Sequence, residues 1–86
     1  MSAQSLLSKY IKNSEKALSE IKFRQEQQSP RTDQVSEVVD YAKRYLSDAK
    51  YYREKQQYET ALASVAYCEG ILDALRLLGL VEFKWP

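Results

Sequence analysis

Three acidic side chains are the residues of this sequence whose types and spacing could do chemistry. Asp48, Glu69 and Asp73 stand among apolar residues of two amphipathic segments. A carboxylate in such a place is costly unless it is paired, hydrogen-bonded or used. Glu69 and Asp73 are four residues apart, so both project from one side of a helix, and Arg76 continues the same ridge. Convergent carboxylates are the ligands that Mg²⁺ and Mn²⁺ prefer, and a bound metal activates water for attack on phosphate.

A structural network explains the same pattern. The arginine would pair with its neighbouring aspartate, and tyrosine hydroxyls would bond the other two acids. We expect this network and keep, as the alternative, a divalent-metal or nucleotide-phosphate site at Asp48, Glu69 and Asp73 with hydrolysis as its activity. All-helical nucleotide pyrophosphohydrolases hold Mg²⁺ through acid pairs at three-residue spacing on two helices. This chain has one such pair, Glu37 and Asp40, and lacks the second.

Composition excludes several function classes. The 86 residues contain no histidine, which removes histidine acid–base catalysis and histidine metal sites. The single cysteine, Cys68, cannot form an internal disulfide, so we expect a reducing, cytoplasmic setting. The longest mainly apolar stretch, residues 71–81, contains two charges and is too short to cross a bilayer, so we expect no membrane partner. No bound cofactor is expected.

A nucleic-acid partner is also not expected. The formal net charge is +1, which gives no electrostatic attraction to phosphate backbones. Basic residues alternate with tyrosines around residues 43–55, and aromatic stacking plus positive charge suits single strands. On a helical wheel, however, these basic residues scatter around the helix. RNA binding is therefore the third interpretation.

The elements that must position these residues are helices. Apolar residues recur at three- and four-residue spacing, which predicts an all-α protein, a three-helix bundle in up-down-up order with a short extended C-terminal tail. We predict one domain over residues 1–86, with helices at about 3–27, 33–54 and 57–78. Residues 28–33, including Pro30, would separate the first helix from the second. Gly79 would end the third helix as a left-handed cap.

The third helix is apolar nearly all the way round, so it should be central in the fold or buried in an oligomer interface. The mid-helix Gly70 should mark close contact with another helix. We expect the tyrosine ridge of the second helix to pack against a neighbouring helix and the tail to lie on its own bundle; alternatively, their aromatic residues are the kind of anchors that dominate interfaces. These candidate interface residues are Tyr41, Tyr45, Tyr52, Phe83 and Trp85.

Three segments carry a family resemblance. They are residues 48–52, the turn Lys55-Gln56-Gln57-Tyr58, and residues 67–80. They resemble the short archaeal proteins grouped as domain-of-unknown-function family 357. The resemblance implies a three-helix bundle in an archaeal cytoplasmic protein with no established activity. The matched positions, which with Arg76 make up the candidate polar site, are Asp48, Tyr67, Glu69, Gly70 and Asp73.

The family usually holds a glycine followed by an acid at the helical hairpin, where this chain has Gln56-Gln57. Taken together, these patterns predict a small non-catalytic module that binds a protein partner or a second copy of itself. Exposed parts of the third helix, the tyrosine ridge and the aromatic tail would form the binding surface.

Overall fold

The computed structural model describes residues 2–24 and 32–85. Within these ranges the chain forms three helices, α1 (Ala3–Glu20), α2 (Thr32–Glu54) and α3 (Tyr58–Leu77), and two short strands, β1 (Lys22–Phe23) and β2 (Val81–Glu82). The predicted all-α three-helix bundle is therefore confirmed. The predicted bounds of the second and third helices agree with the structure to within one residue at each end.

Helix α1 begins with a serine cap and follows the predicted spacing. The Oγ of Ser2 accepts a hydrogen bond of 3.1 Å from the backbone N–H of Ser5, which satisfies one of the free donors at the helix start. One face is buried at residues three and four apart. These buried residues are Leu7, Ile11, Ser14 and Ala17.

The end of the first helix was predicted wrongly. We expected helix to about residue 27, but α1 ends at Glu20, and Ile21 takes an extended backbone with ψ 134°. Lys22 and Phe23 then pair antiparallel with Glu82 and Val81. The cause is a partner distant in sequence, since the C-terminal tail offers backbone hydrogen bonds to this segment. Residues 25–27 of the predicted helix, and most of the predicted break at 28–33, lie outside the described residues.

Helices α2 and α3 form a tight hairpin without glycine. Gln56 takes the left-handed conformation, with φ 61°, that the turn requires. The backbone N–H of Gln57 donates a 2.9 Å hydrogen bond to the carbonyl oxygen of Tyr52, which closes the end of α2. On α2 the side facing the bundle is buried at Val35, Val39, Ala42, Leu46 and Ala49.

Helix α3 is the central helix, as predicted. It packs closely on α2 and also on α1, whereas α1 and α2 touch each other far less. Its buried side consists of Ala61, Val65, Cys68, Leu72 and Leu75. Within residues 2–24 and 32–85, the two neighbouring helices cover two sides of α3.

The end of α3 confirms the predicted left-handed glycine. Gly79 has φ 74°, and its N–H donates to the carbonyl oxygen of Arg76. The N–H of Leu80 donates to the carbonyl oxygen of Leu75, and the two bonds together make a Schellman motif. The chain then reverses and runs back along the bundle as β2.

The C-terminal tail lies on its own bundle. Val81 is buried, and the rings of Phe83 and Trp85 pack against the core and against each other, 4.8 Å apart and nearly perpendicular. Arg24, just after β1, donates a 2.8 Å hydrogen bond from Nε to Glu82 of β2. No helix within the described residues is long and apolar enough to cross a membrane.

Candidate functional site

The polar cluster of the structure is built around Asp73. Its Oδ1 accepts hydrogen bonds from Arg76, at 3.2 Å from Nε and 2.8 Å from the terminal nitrogen, and from the indole Nε1 of Trp85 at 3.0 Å. The Trp85 bond first, and then the Arg76 bonds, hold the pKa of Asp73 below its usual value. The expected pairing of Arg76 with Asp73 is present, and the indole is an additional partner that we did not predict.

Glu69 lies one turn before Asp73 and is half-buried. Among the described residues it has no hydrogen-bond partner. Burial, and then the negative charge of Asp73, raise the pKa of its carboxyl group. The two acids and Gly70 line a shallow cleft of about 270 Å³ with Tyr10 of α1 and Trp85 of the tail. Glu69 and Asp73 therefore sit on the edge of α3 that faces α1.

Asp48 does not join them. It is exposed on α2, and within residues 2–24 and 32–85 no three acidic or cysteine side chains gather closely enough to hold a metal ion. The physical reason is that Glu69 and Asp73 face α1, so Asp48 on α2 lies toward another side of the central helix. The geometry gives no support to the metal or nucleotide-phosphate alternative.

Tyr67 and Gly70, two other members of the candidate polar site, line a different side of α3, and Gly70 lies at its boundary with the acidic cleft, which it also lines. Tyr67 stacks on Tyr45 of α2, with ring centroids 5.2 Å apart and planes inclined by 22°. A β-carbon at Gly70 would meet nothing within 4 Å. Our expectation that Gly70 marks close helix contact is therefore wrong for the contacts within this chain. An interior helical glycine costs about 1 kcal/mol relative to alanine, and no close contact with another described residue requires it here.

This side of α3 is an apolar groove of about 540 Å³, and we call it the open face. Among the described residues, no charged side chain lines it. Just beyond its C-terminal end, Leu77 and Leu78 are each 72% exposed. The residues that line the open face are Ala63, Ala66, Tyr67, Gly70, Ile71 and Ala74.

The candidate interface residues differ in how exposed their side chains are. Tyr41 is 53% exposed on α2, with the guanidinium of Arg44 above its ring at 4.9 Å. Tyr45 and Tyr52 are half-buried and pack against the core of the bundle. Phe83 and Trp85 belong to the tail and are half-buried against the bundle. Of these five side chains, Tyr41 is thus the most accessible. Tyr45 is half-buried and stacks on the exposed ring of Tyr67.

Several basic side chains of α2 and of the turn that follows it contact acidic or aromatic residues of the same chain. Lys50 forms a 2.7 Å ion pair with Glu15 of α1, and Lys43 lies 3.9 Å from Asp40 on its own helix. The ammonium group of Lys55 sits above the ring of Tyr51 at 5.5 Å. These contacts tie the three lysines to acids or to a tyrosine of the same chain.

The cysteine is not placed for catalysis. Burial raises the pKa of the Cys68 thiol to about 11, an effect that the Ser14 hydroxyl opposes and the charge of Glu69 increases. The thiol is therefore protonated and shielded at neutral pH, whereas a nucleophilic cysteine needs an exposed thiolate. Ser14 is also fully buried, and its Oγ lies near the thiol without a hydrogen bond of normal geometry to any described residue. These two small side chains allow α1 and α3 to approach closely.

Sequence reasoning missed the Trp85–Asp73 bond and the strand pair. A signal for the bond was present, because an indole N–H usually finds an acceptor when it is partly buried. The signal for the strand pair was the alternation in the tail, Val81-Glu-Phe-Lys-Trp85, which requires a neighbouring strand to complete it.

Fold and site together define a small all-helical protein with a polar cluster on one edge of its central helix and an apolar groove on another. The family model described as "Protein of unknown function (DUF357)" matches residues 9–81, so the chain belongs to that family. No curated protein and no solved structure matches the chain.

Proposed function

We propose that this chain is a non-catalytic protein-interaction module whose docking surface is the open face of α3. The observation that carries the proposal is the run of apolar side chains left in solvent on the central helix. Tyr67 is 64% exposed and is followed by Leu77 and Leu78, each 72% exposed. Contiguous exposed apolar surface of this kind marks interaction sites far more often than scattered single residues do.

The chemistry of the open face suits a helix as partner. Small side chains at Ala63, Ala66, Gly70 and Ala74 allow another backbone to come close, and the groove follows the axis of α3. Tyr67 supplies a large anchor whose ring is already held by Tyr45, so docking loses little side-chain entropy. Tyrosine is among the residues that contribute most to binding energy at interfaces.

The polar cluster supports the same proposal as a structural element. Asp73 accepts hydrogen bonds from Arg76 and Trp85, and the bond from Trp85 fastens the tail to the α1 side of α3. The tail thereby covers one flank of the central helix and leaves the open face free. A reducing, cytoplasmic setting fits the free thiol of Cys68.

Site-specific photocrosslinking in the native host tests the proposal. A photoreactive phenylalanine derivative at position 66, in place of Ala66 on the open face, should give discrete crosslinked adducts. The same derivative in place of Lys12, an exposed residue of α1, is the matched control and should give none. If a folded protein carrying the probe at position 66 forms no adduct, or forms the same adducts as the control, the proposal is overturned.

A further inference from the structure

The open face carries a projection and a hollow side by side. Tyr67 stands out from α3 with its ring fixed by the stack on Tyr45. Gly70, three residues later and on the same side of the helix, leaves open space where a side chain would be. A surface that bears both a knob and the hole for it can be complementary to itself.

We propose that the open face binds the open face of a second copy of this chain, with the two α3 helices antiparallel and Tyr67 of each copy seated over Gly70 of the other. This inference rests on the proposed function and names its partner. A twofold axis between the two contacts makes them identical, as an isologous dimer requires. The same axis sets Ala63 opposite Ala74 and Ala66 opposite Ile71, so at least one small residue stands in each facing pair.

Charge favours a second copy as the occupant. Between Glu59 and Arg76 the only charged residues of α3 are Glu69 and Asp73, and both lie on the edge toward α1. The contact between two open faces therefore contains no charged side chain of the described residues, and the acidic edges of the two copies lie outside it, on the same side of the dimer. A strongly charged partner would find no complementary charge along the groove, so specificity must come from shape. Antiparallel pairing also places the opposite ends of the two helix dipoles side by side.

The available area sets the strength of the dimer. A standard interface buries about 800 Å² on each partner, which is about one eighth of the 6053 Å² surface of this chain. The apolar stretch from residue 63 to residue 78 is about 22 Å long on one helix, so a contact between two helices falls below that size. We therefore expect a dimer that dissociates at micromolar concentrations.

Sedimentation velocity between about 1 µM and about 1 mM tests the inference. The wild-type chain should pass from a 10.0 kDa monomer to a species of twice that mass. Gly70→Leu fills the hollow and should weaken dimerisation at least tenfold. Because a β-carbon there meets no described residue within 4 Å, this variant should fold at least as stably as the wild type, which separates association from folding.

Further variants complete the test. Ala66→Arg places a charge against Ile71 of the other copy and should also abolish the dimer, whereas Gln34→Leu, at an exposed position of α2, should leave it unchanged. In a Cys68→Ser background, chains with Tyr67→Cys and chains with Gly70→Cys should form mixed disulfides faster than disulfides between like chains.

The outcomes separate the two proposals. A wild-type chain that stays monomeric over the whole range overturns the dimer, as does a dimer that Gly70→Leu and Ala66→Arg leave intact. Crosslinks from position 66 to a different protein, with no adduct between two copies, would overturn the dimer and keep the interaction module. If the probe at position 66 forms neither an adduct with a different protein nor an adduct between two copies, both proposals are overturned.

Discussion

The bond between Trp85 and Asp73 makes a prediction whose size and pH dependence both follow from the structure. Trp85→Phe keeps an aromatic ring beside Phe83 and removes the indole N–H that lies 3.0 Å from Oδ1 of Asp73. A hydrogen bond to a charged group contributes roughly 1.5–3 kcal/mol when it is buried. The side chain of Asp73 is 41% exposed, and solvent screening reduces this to about 1 kcal/mol. For a domain of this size, that loss lowers the melting temperature by about 4–8 °C.

The dependence on pH distinguishes the bond from simple packing. The pKa of Asp73 is lowered in the folded protein, so its contribution to stability is full above the unfolded pKa of about 4. The contribution is lost as the pH falls through the folded pKa. The stability gap between wild type and Trp85→Phe should therefore narrow below about pH 4, whereas the part due to a smaller ring should not change.

Urea unfolding of both proteins from pH 7 to about pH 2.5 measures this gap. Asp73→Ala is the matched background, because with no carboxylate present the Trp85→Phe substitution should cost only its pH-independent part. A gap that stays constant down to the lowest pH would refute the assignment of the bond, and so would a gap of equal size in the Asp73→Ala background.

Three further substitutions test other local features by thermal unfolding. Glu69→Gln should raise the melting temperature at pH 7 and leave it unchanged well below pH 4, because the raised folded-state pKa means that the ionised form destabilises the fold; a lower melting temperature at pH 7 would contradict this. Gln56→Gly should stabilise by about 0.5–1 kcal/mol because it relieves a left-handed φ, whereas Gln57→Gly, at φ −95°, should not. Ser14→Ala should stabilise by about 1 kcal/mol because it removes a buried hydroxyl without a normal hydrogen bond, and any destabilisation would show that its contact with Cys68 contributes more than its burial costs.

The parts of the fold that the sequence predicts are those governed by neighbours along the chain. The bounds of α2 and α3 follow from apolar spacing, and the left-handed conformation of Gly79 follows from the residue type. The prediction of the end of α1 is wrong because Lys22 and Phe23 form a strand with residues 81 and 82, almost 60 positions away. Local propensity contains no information about such a partner.

The candidate site divides along the same line. The Asp73–Arg76 pair lies within one helical turn and was expected, whereas the place of Asp48 depends on how α2 is rotated against α3. Helical spacing alone left that rotation open, and the structure puts Asp48 in solvent away from the other acids. The bond from Trp85 spans twelve residues and a chain reversal, so it too required the tertiary structure.

The apolar character of α3 on every side follows from its central position, but its open face needs a further reason. In the part of the chain that the structure describes, the central helix has two neighbouring helices, so its third side is exposed. Exposed positions of α1 hold charged residues such as Lys9, Lys12, Glu15 and Lys16, which are nearly as good helix formers as alanine. The open face holds alanines, a glycine and a tyrosine instead. Lysine or glutamate would support the helix about as well as alanine does, and alanine, lysine and glutamate are all better helix formers than the glycine at position 70. Among the described residues nothing lies within 4 Å of a β-carbon placed at Gly70, so the packing of the bundle does not require this glycine, whereas a second helix that approaches closely would benefit from it.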